Sequence, residues 1–426
     1  MASIVFYFEV HQPRRLKPYS VFAEHPFYFD DDKNRAICEK VADKCYRPAT
    51  RTILDMVRKH EGNFRVSYSI TGTAIEQFQR FTPDVIDLFV QLAETGCCEF
   101  ISETYYHSLS FLYDQSEFAN QVNKHAHLMH ELFGAKPTVF RNTELIYSNQ
   151  LAHAVASMTN SDGSPRYLGA LCEGVDRILG YRSPNYVYCP PGGEPRPDGT
   201  PFKLLLKNYR LSDDIAFRFS NRAWEEWPLS ADRFAHWVDQ INGDGYLCNL
   251  FMDYETFGEH QWADTGIFRF LEALPGKVFD TNPGHNHFCT PSEAMKQFGP
   301  VGEYDVPQFI SWADTERDLS AWRENAMQHN ALDEFYKLGR KIIQRYDEAL
   351  ASGDPAEARY AGYLLEDWRF LSTSDHFYYM CTKYWADGDV HKYFSPYDSP
   401  YDAYINFMNV IDNLQVRANA DITAVV

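Results

Sequence analysis

Two segments of this chain run from an apolar, strand-like stretch directly into carboxylates. They are Val139–Glu144, with the sequence VFRNTE, and Leu250–Glu255, with the sequence LFMDYE. A carboxylate at the end of a buried strand loses hydration, so it is usually paired, hydrogen-bonded or functional. In a barrel of parallel strands the strand ends meet on one rim, where two such acids would suit a hydrolase that works with a carboxylate pair. His11 follows the apolar run Ile4–Val10 and adds a third polar strand end to the expected rim.

Strand-like runs alternate with helical ones through roughly residue 310, as expected for a parallel α/β fold. Helical periodicity covers Thr82–Glu94, Glu117–Phe133, Asn149–Met158 and Ala231–Ile241, and the Pro- and Gly-rich stretch Pro184–Pro201 predicts a long loop. We therefore expect an incomplete (β/α)7 barrel over residues 1–310. Its predicted strands are Ile4–Val10, Phe64–Ile70, Cys98–Ser102, Thr138–Asn142, Tyr167–Cys172, Lys203–Leu211 and Tyr246–Met252.

The pattern becomes helical after the barrel. Thr290 followed by Pro291 is typical of a helix start, with Thr as the N-cap and Pro at the first helical position. Residues 311–426 are expected to form a C-terminal helical region packed on the barrel rim. The predicted helices of this region are Arg317–Glu334, Lys337–Ala351, Ala356–Thr373 and Tyr401–Ala418.

The charge and cysteine content exclude several classes of function. Fifty-nine acids against 40 bases give a formal net charge of −19, which would repel nucleic acid and anionic membrane surfaces. The sequence holds no run of 18 or more apolar residues and no charged segment before the first strand, so we expect neither a membrane span nor a signal peptide. The nine cysteines form no CxxC pair and predict reduced thiols in a cytoplasmic protein. We expect no cofactor and no catalytic metal.

Five short blocks, taken in order, resemble the signature blocks of glycoside hydrolase family 57. They are His11-Gln12-Pro13, Gly96–Phe100, Phe140–Glu144, Asp253–Glu255 and Trp322–Asn325. The family consists of retaining enzymes that act on α-glucans and have an incomplete (β/α)7 barrel. The resemblance implies α-amylase-type hydrolysis of maltodextrin, glycogen or starch, with 4-α-glucan transfer or branching as alternatives on the same site.

The resemblance also implies roles for individual residues. Glu144 falls where the family keeps its nucleophile, and Asp253 falls on the general acid/base. A nearby Glu144 carboxylate would raise the pKa of Asp253 by like-charge repulsion. For a retaining enzyme we expect the two carboxyl groups to lie about 5 to 7 Å apart.

Other residues of the resembling blocks are predicted to bind sugar. His11 and Glu99 are expected to hold sugar hydroxyls, and Trp322 is expected to line the same pocket. A run at Thr373–Met380 resembles the amylase-like branch of the family, so Asp375 and His376 are predicted to reach the pocket. Residues two apart on a strand share a face, so Glu255 is expected to point the same way as Asp253 and to bind sugar or tune the acid.

The sequence departs from the family pattern at Tyr254, where Gly is usual, and at Cys97, where Gln is common. The fifth block lacks a His-Lys pair. Because of these departures, the detailed specificity of the enzyme stays open. The chain length of the substrate and the oligomeric state also stay open.

Two functions of other classes stay open. A metal-dependent polysaccharide deacetylase or mannosidase would use His11 together with further metal ligands at strand ends. Against it, Glu9 stands two residues before His11, and no His-x-x-x-His pair follows a strand. A non-catalytic glucan-binding protein of this fold would be expected to lack Glu144 or Asp253, and both are present. The acids could also be rim salt bridges, with Arg141 as one partner.

Overall fold

The computed structural model describes residues 2–192, 196–385 and 390–420, and the chain divides into two compact units. The division falls after Trp312, close to the boundary predicted after residue 310. Two earlier segments are grouped with the C-terminal part, however, so the units are not contiguous. The first unit comprises Met1–Gln12, Ala36–Thr104 and Val122–Trp312, and the second comprises Pro13–Arg35, Tyr105–Gln121 and Ala313–Val426.

The first unit contains all the β-strands of the described residues. Each of the seven predicted strands is present, and two short strands, β6 and β9, were not predicted. The strands are β1 (Ser3–Val10), β2 (Val66–Ile70), β3 (Cys98–Phe100), β4 (Val139–Phe140), β5 (Gly169–Glu173), β6 (Val187–Tyr188), β7 (Lys203–Lys207), β8 (Leu247–Asp253) and β9 (His287–Phe288).

Seven of these strands run parallel in one succession. The order β3-β2-β1-β8 forms one sheet and β4-β5-β7 forms the other. A parallel bridge between Ser102 and Phe140 joins β3 to β4, and the amide of Asn208, just after β7, donates to Asn249 of β8 at 2.9 Å. The predicted (β/α)7 barrel is confirmed. Strand β6 pairs antiparallel with β7, and β9 pairs with the start of β1.

Helices follow the strands, and they form the regular elements of the described part of the second unit. Among the described residues, none of the helices has the length and apolarity needed to cross a membrane. The α-helices are α1 (Asp31–Val41), α2 (Arg47–Lys59), α3 (Gly72–Phe81), α4 (Pro83–Glu94), α5 (Gln115–Phe133), α6 (Asn149–Ala156), α7 (Asp176–Leu179), α8 (Tyr209–Ala216), α9 (Ala231–Asp239), α10 (Ile267–Thr281), α11 (Pro291–Gln297), α12 (Ser320–Arg323), α13 (Ala326–Ser352), α14 (Pro355–Leu371), α15 (Ser374–Tyr378), α16 (Val390–Phe394) and α17 (Pro400–Asn419).

Capping residues explain where the structure differs from the predicted elements. The predicted strand Lys203–Leu211 was too long, because Asn208 accepts a hydrogen bond from the amide of Leu211 and starts α8. The predicted helix Arg317–Glu334 is divided in the structure into the short α12 and the start of α13, because Asn325 and Gln328 form a capping box that starts α13. Helix α13 then continues unbroken to Ser352. The predicted start at Thr290 is confirmed, with a complete capping box at α11.

The two faces of each barrel strand belong to two different cores. On β1, Ile4, Phe6 and Phe8 pack with the surrounding helices, whereas Val5 and Tyr7 pack inside the barrel. Each fully buried Phe of the outer core contributes about 2 kcal/mol from loss of contact with water. This alternation fixes which side chains at the strand ends face the barrel interior.

The second unit is held by aromatic packing between helices. Trp368 of α14 stacks on Phe335 of α13 with ring centroids 5.1 Å apart, and its indole nitrogen donates to the Phe335 carbonyl at 3.0 Å. Gly339 of α13 lies against the same indole, where a Cβ would come within 2.2 Å of the ring. Glycine is therefore required at residue 339 for these helices to approach.

Candidate active site

The carboxyl ends of the barrel strands place a ring of polar side chains toward the barrel interior. The interior core contains Tyr7, Val139, Leu171, Leu205 and Phe251 from five strands, and Ile101, which directly follows β3. In each case the residue two positions later is ionisable. Four of these residues lie on their strands, where alternate residues share a face, and the other two, Glu103 and Arg141, follow the ends of β3 and β4. These six residues are Glu9, Glu103, Arg141, Glu173, Lys207 and Asp253. The same alternation is present in the sequence, but of these six residues only Asp253 is among the predicted site residues.

Arg141 contacts two of the acids in this set, Glu9 and Glu103. Its side chain is fully buried, as are those of Glu9 (3% exposed) and Glu103 (0%). Nη1 of Arg141 donates to Oε1 of Glu9 at 2.7 Å and lies 3.7 Å from Oε2 of Glu103. Burial of a charge requires a partner, and here one guanidinium faces two carboxylates.

Glu144 has a strained backbone. It follows β4 in a 3-10 turn and has φ 57° and ψ 28°, and Leu145 also has a positive φ of 50°. A left-handed conformation costs a residue with a side chain roughly 1 kcal/mol, and such strain concentrates at functional sites. The segment around residue 310 maintains it: Tyr147 and Ile310 exchange backbone hydrogen bonds, and the amide of Trp312 donates to the Glu144 carbonyl at 3.2 Å.

Trp312 also contacts the carboxylate of Glu144. Its indole Nε1 donates to Oε2 of Glu144 at 2.7 Å. The guanidinium carbon of Arg141 lies 5.0 Å from the centroid of the indole ring, and Nζ of Lys207 lies 5.3 Å from it. These cation–π contacts hold the indole in place. Trp312 was not predicted, because the sequence around it gives no sign that it reaches a residue 168 positions earlier.

Asp253 ends β8 next to Glu9. The two residues are in register as partners on neighbouring parallel strands. Asp253 also acts on the buried Tyr7: burial raises the pKa of Tyr7 well above its usual value, Arg141 lowers it, and the charges of Glu103 and Asp253 raise it further. Asp253 therefore belongs to the same interior cluster as Arg141 and Glu103.

Glu255 does not continue the strand, contrary to our prediction. Strand β8 ends at Asp253, and Tyr254–Thr256 form a 3-10 turn, so the alternation that was expected to align Glu255 with Asp253 does not apply. Glu255 is nevertheless close enough for the charge of Asp253 to act on it. Burial, and then that charge, raise the pKa of Glu255 to about 8, against hydrogen bonds from Tyr46 and Gln12 that lower it.

Tyr254 explains the departure from the family pattern at this position. Its side chain is fully buried in the outer core, where its ring centroid lies 5.0 Å from that of Tyr68 and 5.1 Å from that of Phe8. Its hydroxyl lies 2.9 Å from Oγ1 of Thr50. The tyrosine thus fills space between the sheet and the helices and does not point into the barrel.

His11 follows β1 at the carboxyl end of the barrel. Its Nδ1 lies 2.9 Å from Oγ1 of Thr71, and the same hydroxyl accepts from the amide of Ala74 as the N-cap of α3. The imidazole is therefore oriented by a residue that is itself fixed by a helix. This location agrees with the predicted sugar-binding role of His11, which stays a prediction.

Glu99 does not lie with the polar residues at the carboxyl ends of the barrel strands. Its Oε2 accepts from the amide of Ser292 at 2.9 Å, in the first turn of α11. The residues before α11 pair with Ile4 at the start of β1, so this helix lies at the amino ends of the strands. Burial raises the pKa of Glu99, opposed by its hydrogen bonds. This position differs from the expected one: Glu99 anchors α11, and Glu103, four residues later on the same face, reaches the carboxyl end instead.

Three predicted site residues belong to the second unit. Trp322 of α12 is buried beside Tyr378, with ring centroids 6.3 Å apart, and its indole nitrogen has no hydrogen-bond partner among the described residues. Asp375 accepts a hydrogen bond from the hydroxyl of Thr373 at 2.7 Å. His376 is buried and its ring lies 5.6 Å from that of Phe407. Their roles in binding sugar stay predictions.

Solved structures show the same fold. The 4-alpha-glucanotransferase from Thermococcus litoralis matches 90% of this chain with a TM-score of 0.59 at 14% identity, and the match spans 60% of that protein. A GH57 branching enzyme from Thermococcus kodakaraensis, crystallised with glucose and additives, matches 100% of this chain and 96% of its own length, with a TM-score of 0.62 at 14% identity. At such low identity the likeness establishes the fold and not the reaction.

Sequence comparison establishes the family. A Methanocaldococcus jannaschii protein described as "Putative alpha-amylase" is 41% identical over 414 residues, which cover 96% of this chain and 83% of that protein. The sequence profile named Glycosyl hydrolase family 57 matches residues 5–307, which include the barrel strands and both Glu144 and Asp253. The chain therefore belongs to glycosyl hydrolase family 57 and is a glycoside hydrolase.

Proposed function

We propose that the protein is a retaining glycoside hydrolase that acts on α-1,4-glucans through a covalent glycosyl-enzyme intermediate, with Glu144 as nucleophile and Asp253 as general acid and base. The observation that carries the proposal is the environment of Glu144. Its strained backbone and the hydrogen bond from Trp312 fix one carboxylate oxygen at the carboxyl end of the barrel. A preorganised nucleophile of this kind is what covalent catalysis requires.

The two acids would divide the reaction into two displacements. In the first, a Glu144 oxygen bonds to the anomeric carbon, the glycosidic C–O bond breaks, and the proton of Asp253 passes to the leaving oxygen. In the second, ionised Asp253 takes a proton from water, the water oxygen bonds to the anomeric carbon, and the bond to Glu144 breaks. The Trp312 indole would hold Oε2 of Glu144 and leave Oε1 as the attacking atom.

The substrate class follows from the relatives. An alpha-amylase description, a 4-alpha-glucanotransferase and a branching enzyme all concern α-glucans. These three reactions can share one glycosyl-enzyme intermediate and differ in whether water or a sugar hydroxyl accepts the glycosyl group. We favour hydrolysis because the 41% identical relative is described as an alpha-amylase. Transfer is the second candidate, supported by the solved structures of the same fold.

Product analysis from maltoheptaose tests the proposal. Hydrolysis would yield only shorter maltooligosaccharides, whereas products longer than maltoheptaose would show transfer. Glu144→Gln should abolish both, because the amide cannot form the glycosyl ester. Turnover that persists in Glu144→Gln would overturn the assigned nucleophile. Binding of maltoheptaose without any turnover by the wild type would indicate a glucan-binding protein, and activity that is lost with a chelator and restored by zinc would indicate a metal-dependent enzyme.

A further inference from the structure

Lys207 is a buried cation at the carboxyl end of the barrel that the proposed mechanism does not use. It is the last residue of β7 and is only 5% exposed. Its Nζ lies 3.2 Å from Oδ1 of Asp213 and 3.6 Å from Oε2 of Glu173. Glu173 is its register partner on the neighbouring strand β5, and Asp213 belongs to α8, which starts just after β7. Two carboxylates from different elements thus hold the ammonium group in one place.

The same ammonium group lies over the ring of Trp312. The distance from Nζ to the centroid of the indole ring is 5.3 Å, within the roughly 6 Å over which a cation is attracted to an aromatic face. Trp312 is only partly buried, whereas Trp322 and Trp368 are each 1% exposed. Close packing on all sides therefore does not fix the indole of Trp312, and individual contacts decide its orientation.

The indole in turn holds the proposed nucleophile. Its Nε1 donates to Oε2 of Glu144 at 2.7 Å. This hydrogen bond fixes the N–H group but does not by itself fix the plane of the ring. A cation over the ring opposes a turn of that plane, because the face of an aromatic ring is negative and its edge is positive. Lys207 provides one contact of this kind, and Arg141, at 5.0 Å, provides another.

We propose that Lys207 is a positioning residue for the nucleophile: its ammonium group keeps the Trp312 indole in the orientation that donates to Glu144. This inference rests on the proposed role of Glu144 and deepens it. Lys207 acts through Trp312 and takes no part in bond making. If Lys207 served only to compensate the charges of Glu173 and Asp213, its removal would leave the environment of the Trp312 N–H group unchanged.

The contact also strengthens the hydrogen bond to Glu144. A positive charge over an aromatic ring draws electron density away from it, so the indole N–H becomes a better donor. In the glycosyl-enzyme, Oε2 of Glu144 becomes the carbonyl oxygen of the ester. The same N–H would then stabilise the negative charge that returns to the carboxylate when the ester breaks. Lys207 therefore supports both displacements.

The kinetics of Lys207→Met in the full-length protein test this role. The substitution removes the charge and keeps an unbranched side chain. We expect kcat/KM to fall about tenfold, the size of effect expected when one desolvated cation–π contact is lost. The loss should be equal for maltoheptaose and for 2-chloro-4-nitrophenyl maltotrioside, whose leaving group needs no proton, because Glu144 must attack both. No loss, or a loss confined to maltoheptaose, would overturn the inference.

A spectroscopic measurement separates positioning from a general loss of structure. With 15N-labelled tryptophan, the eight indole N–H groups give NMR signals, and Trp312→Phe identifies the signal of Trp312. We expect Lys207→Met to move or broaden this signal and to leave the other seven in place. An unchanged Trp312 signal, or a shift spread over all eight, would overturn the inference.

Lys203→Met is the matched control. Lys203 lies at the amino end of the same strand, β7, where its Nζ donates to the Phe298 carbonyl at 2.9 Å. Its removal takes away a lysine charge from β7 at the end of the barrel that does not carry the proposed site. Lys203→Met should change neither the Trp312 signal nor kcat/KM, and the same response as in Lys207→Met would overturn the inference.

A double-mutant cycle tests the route through Trp312. In a Trp312→Phe background the indole N–H is already absent, so Lys207→Met should add less than about twofold to the loss in kcat/KM. An undiminished effect in that background would mean that Lys207 acts without the indole, and it would overturn the inference.

A second variant covers the case in which Lys207→Met does not fold. The substitution leaves the fully buried carboxylate of Glu173 without the charge of its neighbour. Adding Glu173→Gln removes that uncompensated charge. Lys207→Met/Glu173→Gln is then compared with Glu173→Gln alone, and the same outcomes for the Trp312 signal and for kcat/KM support or overturn the inference.

Failure of the proposed function would give a different pattern. Restoration of turnover by azide in Glu144→Gly tests the nucleophile independently of Lys207. If azide restores turnover while Lys207→Met keeps wild-type kinetics or an unchanged Trp312 signal, only the inference about Lys207 is wrong. If Glu144→Gly retains turnover of maltoheptaose without azide, the assignment of the nucleophile is wrong, and the inference about Lys207 is overturned with it.

Discussion

The indole nitrogen of Trp312 donates a 2.7 Å hydrogen bond to the carboxylate of Glu144, and the backbone amide of the same tryptophan donates to the Glu144 carbonyl. One residue thus fixes both the side chain and the strained main chain of the proposed nucleophile. A carboxylate that is held at one oxygen can present the other toward a sugar ring without reorganising.

Trp312→Phe removes the indole donor and keeps an aromatic ring near Arg141 and Lys207. We expect kcat/KM for maltoheptaose to fall about ten- to a hundredfold, because a hydrogen bond to a charged group is worth about 1.5–3 kcal/mol. Steady-state kinetics checks the loss. Trp237→Phe, on the outer helix α9, is the control and should change kcat/KM little. A Trp312→Phe enzyme with wild-type kinetics would contradict the proposed role of the indole.

Glu144→Gly should lose maltoheptaose turnover by at least about a thousandfold, as expected when a covalent nucleophile is removed. Azide should restore turnover of an activated aryl maltooligoside, since the small anion fits the vacated space and attacks from the same side. The glycosyl azide formed should have the β configuration. NMR of the products identifies it, and an α-glycosyl azide or a lack of rescue would argue against Glu144 as nucleophile.

A retaining mechanism also determines which product anomer forms first and how far apart the two catalytic carboxyl groups lie. The α-anomer of the product should appear first when wild-type hydrolysis is followed by NMR. In a crystal structure with bound ligand the carboxyl groups of Glu144 and Asp253 should lie about 5 to 7 Å apart, too close for an attacking water between them. A β-anomer that appears first, or a separation beyond about 9 Å, would indicate inversion.

Arg141→Met should destabilise the protein, because it leaves the buried carboxylates of Glu9 and Glu103 without their guanidinium partner. The free energy of unfolding should fall by about 3–5 kcal/mol, as measured by urea denaturation. Adding Glu9→Gln should recover part of the loss, since one uncompensated charge is then removed. If the two substitutions were additive, the ion pair would not be the cause of the destabilisation.

Stability should also depend on the protonation of His391 in the second unit. Burial lowers the pKa of His391, but hydrogen bonds with Asp314 and Cys381 outweigh it and raise the pKa to about 9. A raised pKa in the folded state means that the stabilisation is complete below about pH 6.5 and is lost as pH rises through 9. The expected loss is up to about 3 kcal/mol. His391→Asn should flatten this dependence in urea denaturation between pH 6 and pH 9, and an unchanged slope would contradict it.

The strands, and the position of one acid just after β4 and of another at the end of β8, were predictable because their signals are local. Apolar alternation in a run such as Ile4–Val10 follows from two-residue periodicity, and the polar residue that ends such a run marks a strand end. Continuing the same alternation would have found Glu9 and Arg141 as well. Glu99 shows the limit of this reasoning. Periodicity places it on the same face of the strand as Glu103, but its position along β3 decides which end of the barrel its side chain reaches.

The contacts that define the site were not predictable from local sequence. Tyr46 reaches Glu255 across 209 residues, and Trp312 reaches Glu144 across 168. Neither neighbourhood contains a period or a motif that specifies its partner. The division of the chain into two units was not predictable for a similar reason. Pro13–Arg35 and Tyr105–Gln121 lie between barrel strands in sequence, but they belong to the second unit.

The pairing of the 310–312 segment with Glu144 has a consequence for biosynthesis. The strand that carries Glu144 leaves the ribosome long before Trp312 does, so the nascent barrel cannot fix the left-handed turn at Glu144 until residues 310–312 have emerged. The same holds for a fragment whose ends follow the family match, which stops at residue 307. Such a fragment would retain all of the barrel strands except the first two residues of β1, and it would retain both proposed catalytic acids, yet it would lack the side chain that orients the nucleophile.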